Sequence, residues 1–388
     1  MRNILAVAKR EIGMIFRDFD LLLVVVLAPF FYTLLYGSFY MNKLERKAPV
    51  AVVDADHSLT SQQFVFDCEA HPMLHVKERL QDLAEARKLL YTEDVYGIIY
   101  IPKDFEKNLK SFKGATIRLY LDNARFMISN DINRALSEVK FSYDAKSAIS
   151  VYEKSGLPYE QAKHNAEPFR FEIRSIFNPA ETYGAFLIPA VLLLVLQQIM
   201  LFGIGQSVAK EREEESLLHA YEIGGNSVLK IVLGKLLVHW VFYSLLTCIS
   251  FFSAIDLFGM QFAGDKVVFF FFILIFFFAM GAFSLALGTF FRKKVYAFVI
   301  LSATSYPIFL LAGYAWPHSA TPLLVQVLAV CSPGTTIMKA LSRLFYLDIT
   351  FTALAGTALI LSIQAIIFII IAGFRFKNLV KTAQRKLS

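Results

Sequence analysis

The densest run of ionisable side chains in this chain is Lys210 to Ser227, KEREEESLLHAYEIGGNS, set between two long apolar stretches. Nothing charged lies between Glu181 and Lys210, and only Lys230 and Lys235 interrupt the apolar run that follows. Ionised side chains are strongly disfavoured in lipid, so this stretch must project from one side of a membrane, held by a spanning helix at each end. Its middle, Arg212 to Tyr221, is helix-favouring, without Pro or Gly. Gly224 and Gly225 suit a helix C-terminus, and Asn226 or Ser227 can cap the next helix. Such an element has the chemistry of a contact surface. The plainer reading is a solvated turn that only connects two spans, since charge on a solvent face is the default.

Other candidates for chemistry are sparse. His71 and His75 stand at i,i+4, a spacing that can hold a metal on a helix, but Pro72 lies between them and no third ligand follows. Asp54 and Asp56 flank the end of an expected strand, where turn residues are common. The chain has no Gly-x-Ser-x-Gly, Walker A or His-Glu-x-x-His pattern. Cys68, Cys248 and Cys331 are far apart, so neither a structural disulfide nor a zinc site is expected. The chain is therefore not expected to be an enzyme or to hold a cofactor or metal.

The elements that position the charged stretch follow from hydropathy. Of the 388 residues, 56% are apolar and 15% aromatic, and uncharged runs recur, which marks a polytopic membrane protein. The formal charge of +7 does not point to nucleic acid, because the basic residues crowd the ends of the apolar runs. Met1 to Phe19 reads as an amphipathic helix. Ile4, Leu5, Ala8, Ile12, Ile15, Phe16 and Phe19 share one face, while Arg2, Lys9, Arg10, Arg17 and Asp18 lie outside it. Val7 and Met14 break the pattern. This helix is expected along the bilayer surface, with its basic face toward headgroups. No small-residue cleavage site follows it, so it does not read as a signal peptide. Leu21 to Asn42 is uncharged and, at 1.5 Å per residue, spans roughly 33 Å, with Pro29 a potential kink.

From Lys43 to Glu181 charges recur every few residues. Pro49 to Asp54, Leu74 to Leu80, Tyr96 to Ile101 and Thr116 to Asp122 read as strands. Helices are expected to Glu69 after Ser58 or Thr60, from the Asp82–Glu85 capping box to Tyr91, over Asp104 to Phe112, and over Ser129 to Ser155. Phe169 to Phe177 alternates again. These strand–helix repeats define an α/β domain.

The remaining spans are Thr182 to Ala209, Leu229 to Ile255, Val267 to Phe291, a fifth ending near Ala315, and Ile349 to Phe374. Lys230 and Lys235 are expected to snorkel. Val295 to Met338 is uncharged over 44 residues and is broken by Trp316-Pro317-His318, Pro322 and Pro333-Gly334. It reads as one full span followed by a segment that enters the membrane edge without crossing. Six spans place Arg2–Arg17, Lys210–Lys235, Arg292–Lys294 and Arg375–Lys386 on one side, which the distribution of basic residues makes cytoplasmic. The expected plan is thus a polytopic α-helical membrane protein with six transmembrane helices, a re-entrant segment and an inserted α/β extracytoplasmic domain. The interfacial helix takes residues 1–19, the first span 20–42, the external domain 43–181 and the other spans 182–374. Within the last lie a charged helix at 210–222 and the re-entrant segment at 317–343, and a basic cytoplasmic tail covers 375–388.

Taken in order, these features resemble a permease subunit of the ABC-2 type exporters with a large external domain between the first two spans. The resemblance rests on Lys9-Arg10-Glu11 and Arg17-Asp18, Asn178-Pro179, Lys210-Glu211-Arg212-Glu213, Arg292-Lys293-Lys294 after Ser284 to Thr289, and Pro307 to Arg343 with Gly313, Trp316-Pro317 and Pro333-Gly334-Thr335-Thr336. It implies that the charged stretch is a coupling helix seated on a separate ATP-binding subunit, through Glu211, Arg212, Glu213, Ser216, Leu217 and Tyr221. That family usually continues with Gly-Thr and ends near Thr-Pro, where this chain has Glu214-Glu215 and Gly224-Gly225. The resemblance further implies that Lys9, Arg10, Glu11 and Arg17 brace the joint, and that Trp316, Pro317, Pro333 and Gly334 belong to an external gate. It also implies ATP and Mg bound by the partner, a second permease copy of the same or a similar chain, and a bacterial inner membrane with both termini cytoplasmic. The Phe-rich walls favour a small amphiphilic or apolar cargo, such as a drug or lipid-like molecule, and a periplasmic adaptor would suit the external domain. The rival from another class is a membrane receptor or envelope scaffold that uses the external α/β domain as a binding module, without ATP coupling.

Overall fold

The computed structural model describes residues 1–39, 47–111, 114–166, 183–258, 260, 262–313, 316 and 320–387. The chain divides into two compact units, Met1–Lys43 with Ser175–Ser388, and Leu44–Arg174.

In the first unit, six helices among the described residues are long and apolar enough to cross a membrane: Phe19–Ser38, Phe186–Glu213, Val228–Leu257, Lys266–Gly288, Lys294–Leu311 and Phe351–Arg385. They are called here the first to sixth spans. The first span loosens into a π-helical turn over Leu23–Leu27, just before Pro29. Proline cannot donate to Val25, four residues back, and its ring crowds that carbonyl, so a widened turn there accommodates it. Thr33 then donates to the Pro29 carbonyl at 2.8 Å. The fourth span starts at the cap Asp265, which accepts from the Val267 and Val268 amides.

The fourth span is the central one. Phe269, Phe272, Ile273, Phe276, Phe277 and Met280 are fully buried in it, whereas Phe271 is exposed. Phe251, Phe262, Phe269 and Phe345 form an edge-to-face and tilted cluster with centroids 5.0–6.4 Å apart. Lipid tails are as apolar as these rings, so the gain here is close packing rather than escape from water. Gln198 donates to the Leu301 carbonyl at 2.8 Å and so joins the second and fifth spans.

The fifth span is interrupted at Thr304, between helices Lys294–Ala303 and Ser305–Leu311. It ends short of the expected Ala315: Gly313 takes φ +83° and stops it. Beyond it, Leu323–Val330 and Pro333–Tyr346 form a pair bent by 89°. Pro333 opens the second of these helices, where its missing N–H costs nothing. Pro317, the Asn178-Pro179 entry and the Phe169–Phe177 alternation lie outside the described residues.

The second unit holds a four-stranded sheet of β1 (Ala48–Asp54), β2 (Leu74–Leu80), β3 (Gly97–Ile101) and β4 (Arg118–Leu121), in the order β2-β1-β3-β4. β1 pairs in parallel with both β2 and β3, and β4 runs antiparallel to β3. The central strands read as continuous apolar runs because both faces are covered. Val50, Val52, Ile99 and Ile101 meet Phe64, Val65 and Cys68 of helix Leu59–Ala70 and Ile132, Ala135 and Val139 of helix Phe126–Lys154. Ala51, Val53 and Ile98 meet Ala86 of helix Leu83–Tyr91 on the other face. Ser58 and Asp82 cap their helices through the Ser61 and Ala84 amides. Asp56 accepts from Phe105 and Glu106 and so caps the helix Phe105–Lys110 from another strand's end. His71 contacts Glu138 at 3.1 Å, while His75 lies in β2, so the two do not share a helix.

Candidate functional site: a charged joint at one end of the spans

Helix Arg2–Arg17 is amphipathic, but its expected apolar arc is divided between two surroundings. Val7, Ala8, Glu11 and Ile15 are buried, and the helix packs mainly on the third span. Leu5, Ile12, Phe16 and Phe19 remain exposed, as a lipid-facing edge would. The Ile4 carbonyl and the Val7 side chain press on Gly234, where a side chain would leave no room. Lys9 and Arg17 are exposed on the far side, whereas Arg10 and Glu11 turn inward.

Those two residues enter a buried ionic network. Arg10 pairs with Glu211 and also reaches the Ser216 hydroxyl at 3.2 Å. Lys235 donates to Glu11 Oε2 at 2.6 Å and to Ser207 Oγ at 3.0 Å, and its Nζ lies 3.1 Å from Glu211 Oε1. Ser207 donates to Glu11, and His239 Nε2 stands 3.1 Å from the same carboxylate. Glu11, Glu211 and Lys235 are at most 1% exposed. Lys235 therefore does not snorkel as expected. A carboxylate from the first helix reaches it instead, so its ammonium stays inside. Burial pushes the Glu11 carboxyl upward, but the charges and hydrogen bonds of Lys235 and His239 outweigh it and hold the group well below the usual carboxylate range.

A second knot ties three chain segments at the membrane edge. Asp18 accepts from Lys210 at 2.6 Å and from Lys294 at 3.0 Å, and it caps its own helix through the Asp20 and Leu21 amides. Partial burial raises its pKa, yet the two ammonium groups and the Leu21 amide lower it to about 2. A third knot joins the charged stretch to the turn between the fourth and fifth spans. Arg212 donates to the carbonyls of Thr289 (2.7 Å) and Phe291 (2.5 Å), which the end of the fourth span leaves without helical partners. Glu213 accepts from the Lys294 amide at 2.9 Å.

The expected single helix over 210–222 is in fact two. Lys210–Glu213 continues the second span, and a separate helix covers Leu217–Ile223. Glu215 takes φ +54° at the break, and the Ser216 amide closes onto the Glu211 carbonyl. This is a Schellman-type stop with Glu where Gly is usual, at a strain of about 1 kcal/mol. The compensation is tertiary: the turn delivers Ser216 to Arg10 and lets Leu217 bury. At the other end Gly225, at φ +66°, and the Asn226 amide on the Tyr221 carbonyl form a second such stop.

Of the six residues assigned to partner coupling, Glu211 and Leu217 are buried, Arg212, Ser216 and Tyr221 are half-buried, and Glu213 is exposed. The outward positions of the short helix are His219 and Glu222. Ser207, Lys235, His239 and Lys294 complete the joint without having been singled out as site residues. A sequence signal existed for two of them, since Lys235 and His239 sit at i,i+4 well inside a helix whose other charges, Lys230 and Asp256, lie close to its ends. At the bent pair, Pro333 and Gly334 are buried, and Gly334 abuts the amide of Gln197 on the second span. Trp316 is exposed.

Six apolar helices, with charged loops knotted at one end, define a multi-pass membrane protein. The family model described as ABC-2 family transporter protein matches residues 19–374. The chain belongs to the ABC-2 transporter family. It is 24% identical over 290 residues, 74% of each chain, to the Escherichia coli (strain K12) protein named "Probable multidrug ABC transporter permease YbhR". It is also 29% identical over 113 residues, 29% of each chain, to "Linearmycin resistance permease protein LnrN" of Bacillus subtilis (strain 168).

Proposed function

We propose that the chain is the transmembrane permease subunit of an ATP-binding-cassette exporter, moving a small amphiphilic or apolar molecule outward on the fuel of a separate ATP-binding subunit. The observation that carries this reading is the wiring of the charged stretch. Its start is ion-paired to the first helix and third span through Arg10 and Lys235, and hydrogen-bonded to the end of the fourth span through Arg212 and to the start of the fifth through Glu213. A push on the short helix Leu217–Ile223 is thereby delivered to several spans at once, as a rigid-body or shear transition requires. His219 and Glu222 are the side chains with surface to offer a partner; Glu211 and Leu217 position the helix from beneath. ATP and Mg belong to the partner. The names of the two relatives support a drug-like cargo.

On this reading the joint and both termini are cytoplasmic, the membrane is the inner one, and two permease copies enclose the path. The sheet-containing unit lies outside the cytoplasm, where a periplasmic adaptor could engage it. The bent pair Leu323–Val330 and Pro333–Tyr346 acts as a re-entrant gate at the outer end, and Trp316, Pro317, Pro333 and Gly334 are the residues proposed to serve it. The test combines His219→Glu with Glu222→Lys in cells that express the ATP-binding partner. Partner co-purification and export should fall together, while the amount of permease in the membrane stays unchanged. Undiminished export and co-purification would count heavily against the assignment.

A further inference from the structure

The joint contains a cavity of about 500 Å³. It is lined by the end of the second span, the short helix, the turn after the fourth span and the last turns of the sixth-span helix, and it opens to the surface. Leu217, Leu218 and Leu379 give it an apolar wall, and Arg212 and Arg292 line its polar side. Arg375 stands one turn before Leu379, on the same helix face, with its guanidinium 4.4 Å from the centroid of the Phe290 ring. Arg292 and Arg375 both lie within electrostatic reach of Arg212. Three guanidinium groups are thus gathered at one place, and their donors are largely unspent. Arg212 uses only Nη1, on two backbone carbonyls. Arg375 Nε is buried and has no hydrogen-bond partner among the described residues. Arg292 makes no hydrogen bond or ion pair among them.

Gathering like charges in a partly desolvated place is unfavourable unless an anion neutralises them. The carboxylates of the lining do not do so fully. Glu211 is already claimed by Arg10 and Lys235, and Glu215, also in the lining, brings one carboxylate against three guanidinium groups. A guanidinium fork matches the oxygens of a phosphate, and several forks around one group bind it more tightly than point charges would. We propose that this cavity binds a phosphate group, presented on an anionic lipid headgroup or as free phosphate. The apolar wall suits the lipid source, since Leu217, Leu218 and Leu379 would cover the glycerol and the first methylenes. Bound there, the group would bridge the end of the second span, the turn after the fourth and the sixth-span helix. Ligand binding at this position requires neither ATP nor a partner, so it stands apart from the exporter reading.

The test uses the purified full chain in neutral detergent and reads its apparent unfolding temperature. The probes are short-chain phosphatidylglycerol, the corresponding diacylglycerol without phosphate, and inorganic phosphate against chloride at matched ionic strength. A saturating phosphate ligand should raise the midpoint by roughly 2–4 °C, and the diacylglycerol should not. A shift with phosphatidylglycerol alone assigns a lipid headgroup; an equal shift with inorganic phosphate assigns the free ion. Arg292→Gln with Arg375→Gln should remove most of the shift, and Lys293→Gln, an exposed cation next to the cluster, should keep it. Arg292→Gln alone, at an exposed position, should weaken the response without threatening the fold. No shift with either phosphate probe, or equal losses in Lys293→Gln and Arg292→Gln, would overturn the proposal.

Discussion

Replacing Lys235 by Met should be among the most damaging single changes in the first unit, although the same change makes the third span more apolar. The ammonium lies 2.6 Å from Glu11 and 3.1 Å from Glu211. Its removal leaves two fully buried carboxylates with Arg10, His239 and the Ser207 hydroxyl as their remaining partners. Breaking a buried pair from one side costs about 3–5 kcal/mol, because the remaining charge keeps its desolvation penalty and loses its partner. Removing both charges together is different. Lys235→Met with Glu11→Gln leaves no unpaired ion between those two positions, and Arg10 still neutralises Glu211, so the double variant should lie within about 1–2 kcal/mol of wild type. The cycle should therefore show a coupling of at least about 2 kcal/mol. The assay is the apparent unfolding midpoint of the purified chain, where the single variant should fall by something on the order of 5–10 °C and the double variant should recover most of that loss. Lys230→Met, on the same helix but outside the network, serves as the control and should change stability by less than about 0.5 kcal/mol. If Lys235→Met proved as mild as the control, or if the two changes simply added, the network would be a geometric coincidence rather than the bond between the first helix and the third span.

Three further outcomes follow from the same joint. Gly234→Val should cost about 1–3 kcal/mol, since its side chain would meet Val7 and the Ile4 carbonyl; freed from its seat, helix Arg2–Arg17 should become sensitive to trypsin. Gly225→Ala should cost about 1 kcal/mol, because φ is +66° there, and hydrogen exchange over 217–223 should rise. The Asp18 carboxyl has its pKa lowered from 3.8 to about 2, so the unfolded state binds its proton first as pH falls. Its stabilising contribution is complete above about pH 5 and is lost between about pH 4 and 2. The stability gap between wild type and Asp18→Asn should close across that window, and a gap that persisted below it would show that the ammonium partners of Asp18 are not its source.

The spans were legible because their signal is a length. An uncharged run must match the bilayer, and neither partner nor packing alters that requirement. The strands were legible for a related reason: buried parallel strands such as Pro49 to Asp54 and alternating ones such as Thr116 to Asp122 declare their surroundings in their pattern. The joint was harder, because its geometry depends on contacts that no local window contains. Glu213, Glu214 and Glu215 are good helix formers, and a local reading carries the helix through them. The chain breaks there because Arg10, far away in sequence, holds both Glu211 and Ser216, and propensities of a few tenths of a kcal/mol yield to such contacts. Lys235 shows the same limit from the other direction. A lysine near the end of a span can reach water or meet a carboxylate, and its sequence neighbours do not choose between these. The choice was visible only jointly. Glu11 sits among Val7, Ala8 and Ile15 on a face otherwise apolar, and Lys235 with His239 sits one turn apart in a largely apolar helix, further from its end than Lys230. Each is an anomaly that hydropathy alone penalises, and the two have opposite sign. A fold in which each removes the other's penalty must lay the first helix across the start of the third span, which is where Gly234 makes room for it.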